Sequence, residues 1–310
     1  MESNSKVWSI VLAGGEGDRL KPLIQSWLGY AKPKQYCTFV GTRSMLQHTL
    51  DRADQVLRSD QKLTVTAWAH WQCGWSRFLQ QRSGRILVQP ADRGTGTAIF
   101  VALTYVRKYQ PQATVVIFPS DHFIYPEGNF IETVRTAVSA ATAGKHWLIL
   151  LGVRPKGPEP EYGWIQPGVP LGWIHGHRLQ IAESFAEKPT PDYCRNAMAR
   201  GALWNTMIVA ADLNLLWEQG RRYLPDLMIL LERFAANIGS QNEEVELENL
   251  YQELAGHDFS AELLQRIPQQ IAVLELNGVV WSDWGRPSRI VESLDFIGKV
   301  PAFRLTEVAS

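Results

Sequence analysis

Between Val7 and Lys34 the chain reads VWSIVLAGGEGDRLKPLIQSWLGYAKPK, and its centre, LAGGEGDRLKP, restricts the fold more than any other stretch. An apolar run over residues 7–12 opens directly into Gly14, Gly15 and Gly17, with Arg19, Lys21, Lys32 and Lys34 close behind. This is the pattern of a strand feeding a phosphate-gripping loop. Glycine has no Cβ, so its backbone takes positive φ and its amide approaches an anion closely. Arginine then offers a planar fork and lysine a mobile charge to neutralise what the amides cradle. Spacing excludes two familiar phosphate loops. Leu20 stands where a dinucleotide fingerprint needs its third glycine, and no Gly-Lys-Ser/Thr follows for a Walker loop.

The segments that follow alternate in period. Residues 43–57 have helical spacing, 63–67 and 86–88 are short apolar strands, and 114–118 is a β-branched run with no alternation, as in a strand buried on both faces. Trp68, Trp71, Trp75 and Phe78 repeat at near-helical spacing and are expected to be buried against the sheet. Gly94 and Gly96 form a second flexible loop before an apolar helix over 98–109, whose N-terminus would favour an anion or polar ligand. The 114–118 strand stops at Pro119, Ser120, Asp121 and His122, the position where such sheets place ligands. A helix over 130–143 and a strand over 146–153 complete the pattern of a Rossmann-like, doubly wound, mostly parallel α/β sheet.

Beyond Arg154 the pattern changes. Residues 162–166 and 178–186 read as a hairpin joined by a Gly/Pro/His-rich connection, and 203–210 as a further strand. A helical region over 213–239 is broken at Pro225. The acidic run Glu243, Glu244, Glu246 and Glu248 reads as a solvated helix face. Residues 259–267 suggest a short helix, 271–276 a strand, Trp281-Ser282-Asp283-Trp284 a loop, and 287–296 a last helix. With no repeat and no linker, one domain over 1–310 is expected, its first half 1–153 holding a nucleotide and its second half 154–310 a sugar phosphate once the resemblance below is considered.

Composition narrows the function. The 31 basic and 31 acidic residues cancel, which argues against a nucleic-acid-binding surface as the main task. Three widely spaced cysteines without a CxxC pair point to a reducing compartment and no structural zinc. Neither a signal peptide nor an apolar run of about 20 residues is present, so a cytoplasmic protein with no membrane partner is expected.

LAGGEGDRLKP at 12–22, PKQY at 33–36, QPADRGTGTAI at 89–99, FPSDHFI at 118–124, YGWI at 162–165, FAEKP at 185–189, LWNT at 203–206 and WSDWG at 281–285 occur in one order across nearly the whole chain. In that order they resemble the nucleotide-sugar pyrophosphorylases, most closely the mannose-1-phosphate guanylyltransferases. The resemblance implies a GT-A-like nucleotidyltransferase fold and an enzyme that joins mannose 1-phosphate to GTP, releasing pyrophosphate with Mg2+ as cofactor. It places Leu12, Ala13, Gly14, Gly15, Gly17, Arg19, Gln89, Gly96 and Thr97 on the nucleotide. Gly163, Glu187, Lys188 and Asn205 fall on the sugar phosphate, and Asp121 and Asp283 on the metal. Arg19, Lys34, Asp121 and Lys188 are the implied catalytic residues. A homodimer is a family expectation, and the β-helix or cupin-like domain of many relatives is not expected. Asp18 and Lys21 depart from the family's first motif, and Asp18 beside a phosphate is unfavourable unless it points away, pairs with Lys21 or joins the metal. The alternatives are a uridylyl- or thymidylyltransferase on another sugar 1-phosphate, or a silent relative that only binds a nucleotide sugar.

Overall fold

The computed structural model describes residues 6–57 and 60–304. In chain order its strands are β1 (Val7–Ala13), β2 (Lys62–Ala67), β3 (Arg85–Gln89), β4 (Thr114–Pro119), β5 (Phe123–Tyr125), β6 (Leu148–Val153), β7 (Gly163–Ile174), β8 (His177–Glu187), β9 (Leu203–Asp212), β10 (Ile271–Glu275) and β11 (Val280–Ser282). Nine form one mixed sheet in the order β3-β2-β1-β4-β9-β6-β10-β8-β7, with β8 and β9 running against the other seven. β7 returns to pair with β9 through Trp164 and Trp204, closing a ring of pairings through β6, β10 and β8.

The strand cores explain this order. β1, β4 and β6 are apolar nearly throughout and buried on both faces, so each requires a layer of helices on either side. Helix Gly94–Tyr109 packs on one face with Phe100, Leu103 and Val106, in a core shared with Leu216 and Leu231. Helices Met45–Val56 and Glu127–Ala143 cover the other through Leu46, Leu50, Phe130 and Val134. Helix Met45–Val56 begins at a full capping box in which Ser44 and Gln47 satisfy each other's backbone amides.

Several local expectations change. The tryptophan stripe is only partly buried: Trp75 and Phe78 pack against the core, while Trp68 and Trp71 line a cavity. Its helix ends at Gln72, Trp68 stays 45% exposed, and the residue it buries is His70. The His-rich connection is strand almost to its tip, because the two-residue turn His175-Gly176 has φ of 46° and 78° and matches the twist of a hairpin. WSDWG is only partly a loop: Trp281 and Ser282 lie in β11, paired antiparallel with β5, a strand that periodicity does not separate from the loop after β4. The acidic helix Glu243–Glu253 is solvated on one side, but Glu243, Glu244 and Glu248 also line a cavity of about 770 Å³ with Trp68, Trp71 and Tyr251.

Candidate active site

The first glycine loop leaves β1 at Ala13 and is pinned from below. Gln35 donates through Nε2 to the carbonyls of Ala13 (3.0 Å) and Gly15 (2.7 Å), and Tyr36 donates to Ala13 at 3.3 Å. Gly17 takes φ 66°, and a Cβ there would stand 3.0 Å from the Cβ of Lys34. The loop is therefore closed against the segment that carries Lys34. Asp18 does pair with Lys21, at 2.7 Å, and Lys21 also reaches Glu16 at 3.1 Å. Hydrogen bonds donated to Asp18 and Glu16 raise the Lys21 ammonium above its ordinary value. The added carboxylate is thus neutralised by the other residue that departs from the family motif.

Four of the implied residues converge above this loop. Buried Lys34 contacts Asp121 Oδ2 at 2.8 Å and donates to the backbone carbonyl of Asp283. Arg19 donates to Asp283 Oδ2 at 2.8 Å and to Glu161 Oε2 at 2.7 Å. Asp283 Oδ1 accepts from Tyr162 Oη (2.7 Å), Arg289 Nη1 (2.7 Å) and its own turn amide at Gly285 (2.9 Å). Burial alone would raise both aspartates. The Lys34 charge, then His122, leaves Asp121 below the ordinary carboxylate range, while Lys34, Tyr162 and Arg289 hold Asp283 well below it. Burial pushes His122 down to about 4 against the pull of Asp121, and the Trp281 indole donates to its Nδ1 at 3.2 Å. His122 is a neutral, hydrogen-bonded histidine at pH 7. Among the described residues no group of three or more His, Cys, Asp or Glu gathers as a metal centre; Asp121 and Asp283 face Lys34, with Glu161 and Glu159 beside them on Arg19 and Arg289.

The second group adjoins the first through Tyr162. Next along the chain, Gly163 pairs with Glu187 across the hairpin, and a Cβ at Gly163 would meet Glu187 Oε2 at 2.8 Å and Asn205 Cβ at 3.2 Å. Lys188 extends from the same strand end at φ 45°, with its ammonium 3.6 Å from Glu187 Oε1. Burial raises the Glu187 carboxyl despite Lys188 beside it. Gly163, Glu187, Lys188 and Asn205 thus lie in one polar group that meets the Lys34 cluster through Tyr162.

Residues 8–299 match the family model described as nucleotidyl transferase. The chain belongs to the nucleotidyl transferase family. It is 28% identical over 243 residues to mannose-1-phosphate guanylyltransferase 2 of Escherichia coli O157:H7, covering 76% of this chain and 49% of that protein. To the xanthan biosynthesis protein XanB of Xanthomonas campestris it is 32% identical over 225 residues, covering 71% and 45%. The chain spans about half the length of these curated relatives. A solved structure described as mannose-1-phosphate geranyltransferase from Thermus thermophilus superposes with TM-score 0.76 at 25% identity, covering 91% of this chain and 77% of that one.

In this nucleotidyl transferase the second glycine loop differs from its sequence expectation. The N-terminus of helix Gly94–Tyr109 is partly covered by the chain itself: Gly96 N–H donates to the His257 carbonyl at 2.8 Å, His257 N–H returns to Arg93 at 3.0 Å, and the Thr97 hydroxyl donates to Ala255 at 3.2 Å. The Gly96 amide is thus taken by a backbone carbonyl, and Gly96 and Thr97 are buried beneath this segment while Gly94 and Thr95 stay exposed. Leu12, Ala13, Gly14 and Gln89, by contrast, lie together at the ends of β1 and β3. Sequence reasoning missed Glu161, Arg289 and Tyr162 as the groups that hold Asp283 and Arg19. Glu161 and Tyr162 reach Arg19 and Asp283 from more than a hundred positions away and leave no local signal, although Tyr162 opens the YGWI motif; Arg289, six residues from Asp283, was the nearest clue.

Proposed function

We propose that the protein transfers a nucleotidyl group from GTP to mannose 1-phosphate, forming GDP-mannose and pyrophosphate. The observation that carries this reading is the meeting of Arg19, Lys34, Asp121 and Asp283 above the glycine loop, with the Gly163, Glu187, Lys188 and Asn205 group joined to it through Tyr162. A phosphate oxygen of the sugar 1-phosphate attacks the α-phosphorus; that O–P bond forms as the bond to the bridging α,β oxygen breaks, and the electron pair leaves on pyrophosphate. The attacking oxygen is already anionic, so neither a protein nucleophile nor a general base is required, consistent with a neutral His122.

The work of the protein is positioning and charge neutralisation. The loop amides from Gly14 to Gly17 receive the triphosphate, Arg19 holds the departing pyrophosphate, and Lys34 faces the reacting phosphates. Lys188 holds the sugar phosphate while Glu187 and Asn205 accept and donate hydrogen bonds to the sugar hydroxyls, with Gly163 leaving room for the ring. Asp121 and Asp283 suit magnesium, which takes one or two carboxylates and completes its shell with phosphate oxygens and water. Bound there, the ion supplies Lewis-acid polarisation of the α-phosphate. The described residues contain no helix long and apolar enough to cross a membrane, and the reading carries a cytoplasmic location and a homodimer.

A matrix of nucleoside triphosphates against sugar 1-phosphates, read by pyrophosphate release, tests the proposal. Release is expected only with both substrates and a divalent metal, highest for GTP with mannose 1-phosphate. Asp121→Ala is expected to lower turnover by at least about a thousandfold, the loss typical of a central electrostatic group. Turnover with no pair in the matrix would reject the enzyme reading.

A further inference from the structure

A charged side chain is buried beside the turn that carries Asp121. Arg52, on helix Met45–Val56, is 3% exposed. Its Nη1 pairs with Glu127 Oε1 at 3.2 Å, at the start of helix Glu127–Ala143, and its guanidinium carbon stands 5.8 Å from the centre of the Phe130 ring. Its Nη2 donates to the Thr49 hydroxyl at 2.8 Å and to the His122 carbonyl at 3.3 Å. Thr49 donates in turn to the Ser120 carbonyl at 3.3 Å. Removing a guanidinium from water is costly, and exchanging a buried ion pair for apolar side chains is often neutral or stabilising. Packing of the two helices therefore does not account for Arg52. What an apolar residue could not supply is the planar fork, which reaches a carboxylate, a hydroxyl and a carbonyl at once.

The two carbonyls belong to the residues on either side of Asp121. β4 ends at Pro119 and β5 begins at Phe123, so Ser120, Asp121 and His122 are the whole of the connection. The Ser120 amide donates to the Leu12 carbonyl of β1 at 3.1 Å. The turn is thus tied to the sheet through the Ser120 amide and to helix Met45–Val56 through the carbonyls of Ser120 and His122. Between these ties Asp121 Oδ2 meets the Lys34 ammonium at 2.8 Å.

We infer that Arg52, acting with Thr49, is a positioning residue for Asp121: the pair clamps the carbonyls before and after that aspartate and so fixes its carboxylate for a divalent metal and the triphosphate. This deepens the nucleotidyl-transfer reading and rests on the role given there to Asp121. A misplacement of about 1 Å at a reacting centre lowers turnover on the order of a hundredfold, so a clamp on the backbone of one metal-holding residue has a large effect on rate. Groups that orient a metal ligand without touching the metal typically alter affinity or activity by about 10- to 100-fold when removed.

The test pairs kinetics with metal binding in the full chain. Arg52→Lys keeps the charge beside Glu127 but not the fork, and Thr49→Val keeps the shape and removes the hydroxyl. Each is expected to lower kcat for GTP with mannose 1-phosphate at least about tenfold while KM for mannose 1-phosphate stays within about twofold. Mn2+, which takes the same oxygen ligands as Mg2+, is followed by electron paramagnetic resonance in the presence of GTP, and its affinity is expected to fall about tenfold in each variant. Thr49→Val leaves every charge in place and gives the result if Arg52→Lys does not fold. A folded variant that melts earlier but keeps wild-type kcat and Mn2+ affinity overturns the clamp, as does a rise in both KM values at unchanged kcat. Wild type that binds no Mn2+ with GTP rejects the metal role of Asp121 and the clamp with it, whereas wild type that binds it beside unaffected variants rejects the clamp alone.

Discussion

Gly15 and Gly17, in the same loop, illustrate how differently one residue type can be used. Gly17 has φ 66° and its missing side chain would press on Lys34, whereas Gly15 has no atom within 4 Å of that position and a φ open to any residue. Gly17→Ala is expected to cost about 1 to 3 kcal/mol and to weaken triphosphate binding by displacing Lys34, while Gly15→Ala changes stability by less than about 0.5 kcal/mol. Denaturant midpoints for the pair, with a triphosphate titration of the Gly17 variant, check both. The pattern GGEG could mark the loop but could not say which glycine was indispensable, because that depends on Lys34 lying across it. Asp18 and Lys21 show the same limit. Each looks adverse alone beside a phosphate site, and their ion pair at 2.7 Å becomes visible only when the loop is folded.

At the level of elements, strand and helix identities were largely legible in hydrophobic period, and the misses have physical causes. β5 and β11 are three residues each, too short for periodicity to register, and exist because they pair with one another and carry Trp281 over His122. At the start of helix Gly94–Tyr109, residues 255–257 take the Gly96 amide and the Thr97 hydroxyl, since an orphan amide is as well satisfied by a backbone carbonyl as by an anion. Gly94 has φ 79°, and its Cβ would collide with the His257 carbonyl. Gly94→Ala is therefore expected to lose about 2 to 4 kcal/mol through strain and detachment of this strap. A thermal melt within a degree or two of wild type would show that the strap does not bear on stability.

For the whole molecule, the sheet order decides how the two halves depend on each other. Strand β9, from the second half, lies between β4 and β6, and β6 has only β9 and β10 as neighbours. Residues 1–153 alone would keep β1 to β4 but leave β4 with one bare buried edge and β6 with no partner. That fragment is expected to aggregate or remain unfolded, and the full chain to unfold in one transition that coincides by far- and near-ultraviolet circular dichroism. Two separated transitions would mean that the halves are independent folding units.

Unaided, the sequence determined the α/β class, most strand and helix positions and the glycine and cationic residues proposed for phosphate chemistry, because these follow from local period, backbone freedom and side-chain charge. Tertiary structure alone decided which of those residues meet. Arg19, Lys34, Asp121 and Asp283 come together from three distant segments, and Glu161, Tyr162 and Arg289 are recruited to hold them. Burial and pairing, the quantities that make an aspartate a poised anion, rest largely on contacts between distant segments: Arg289 lies six residues from Asp283, but Lys34, Tyr162 and Arg19 come from far along the chain.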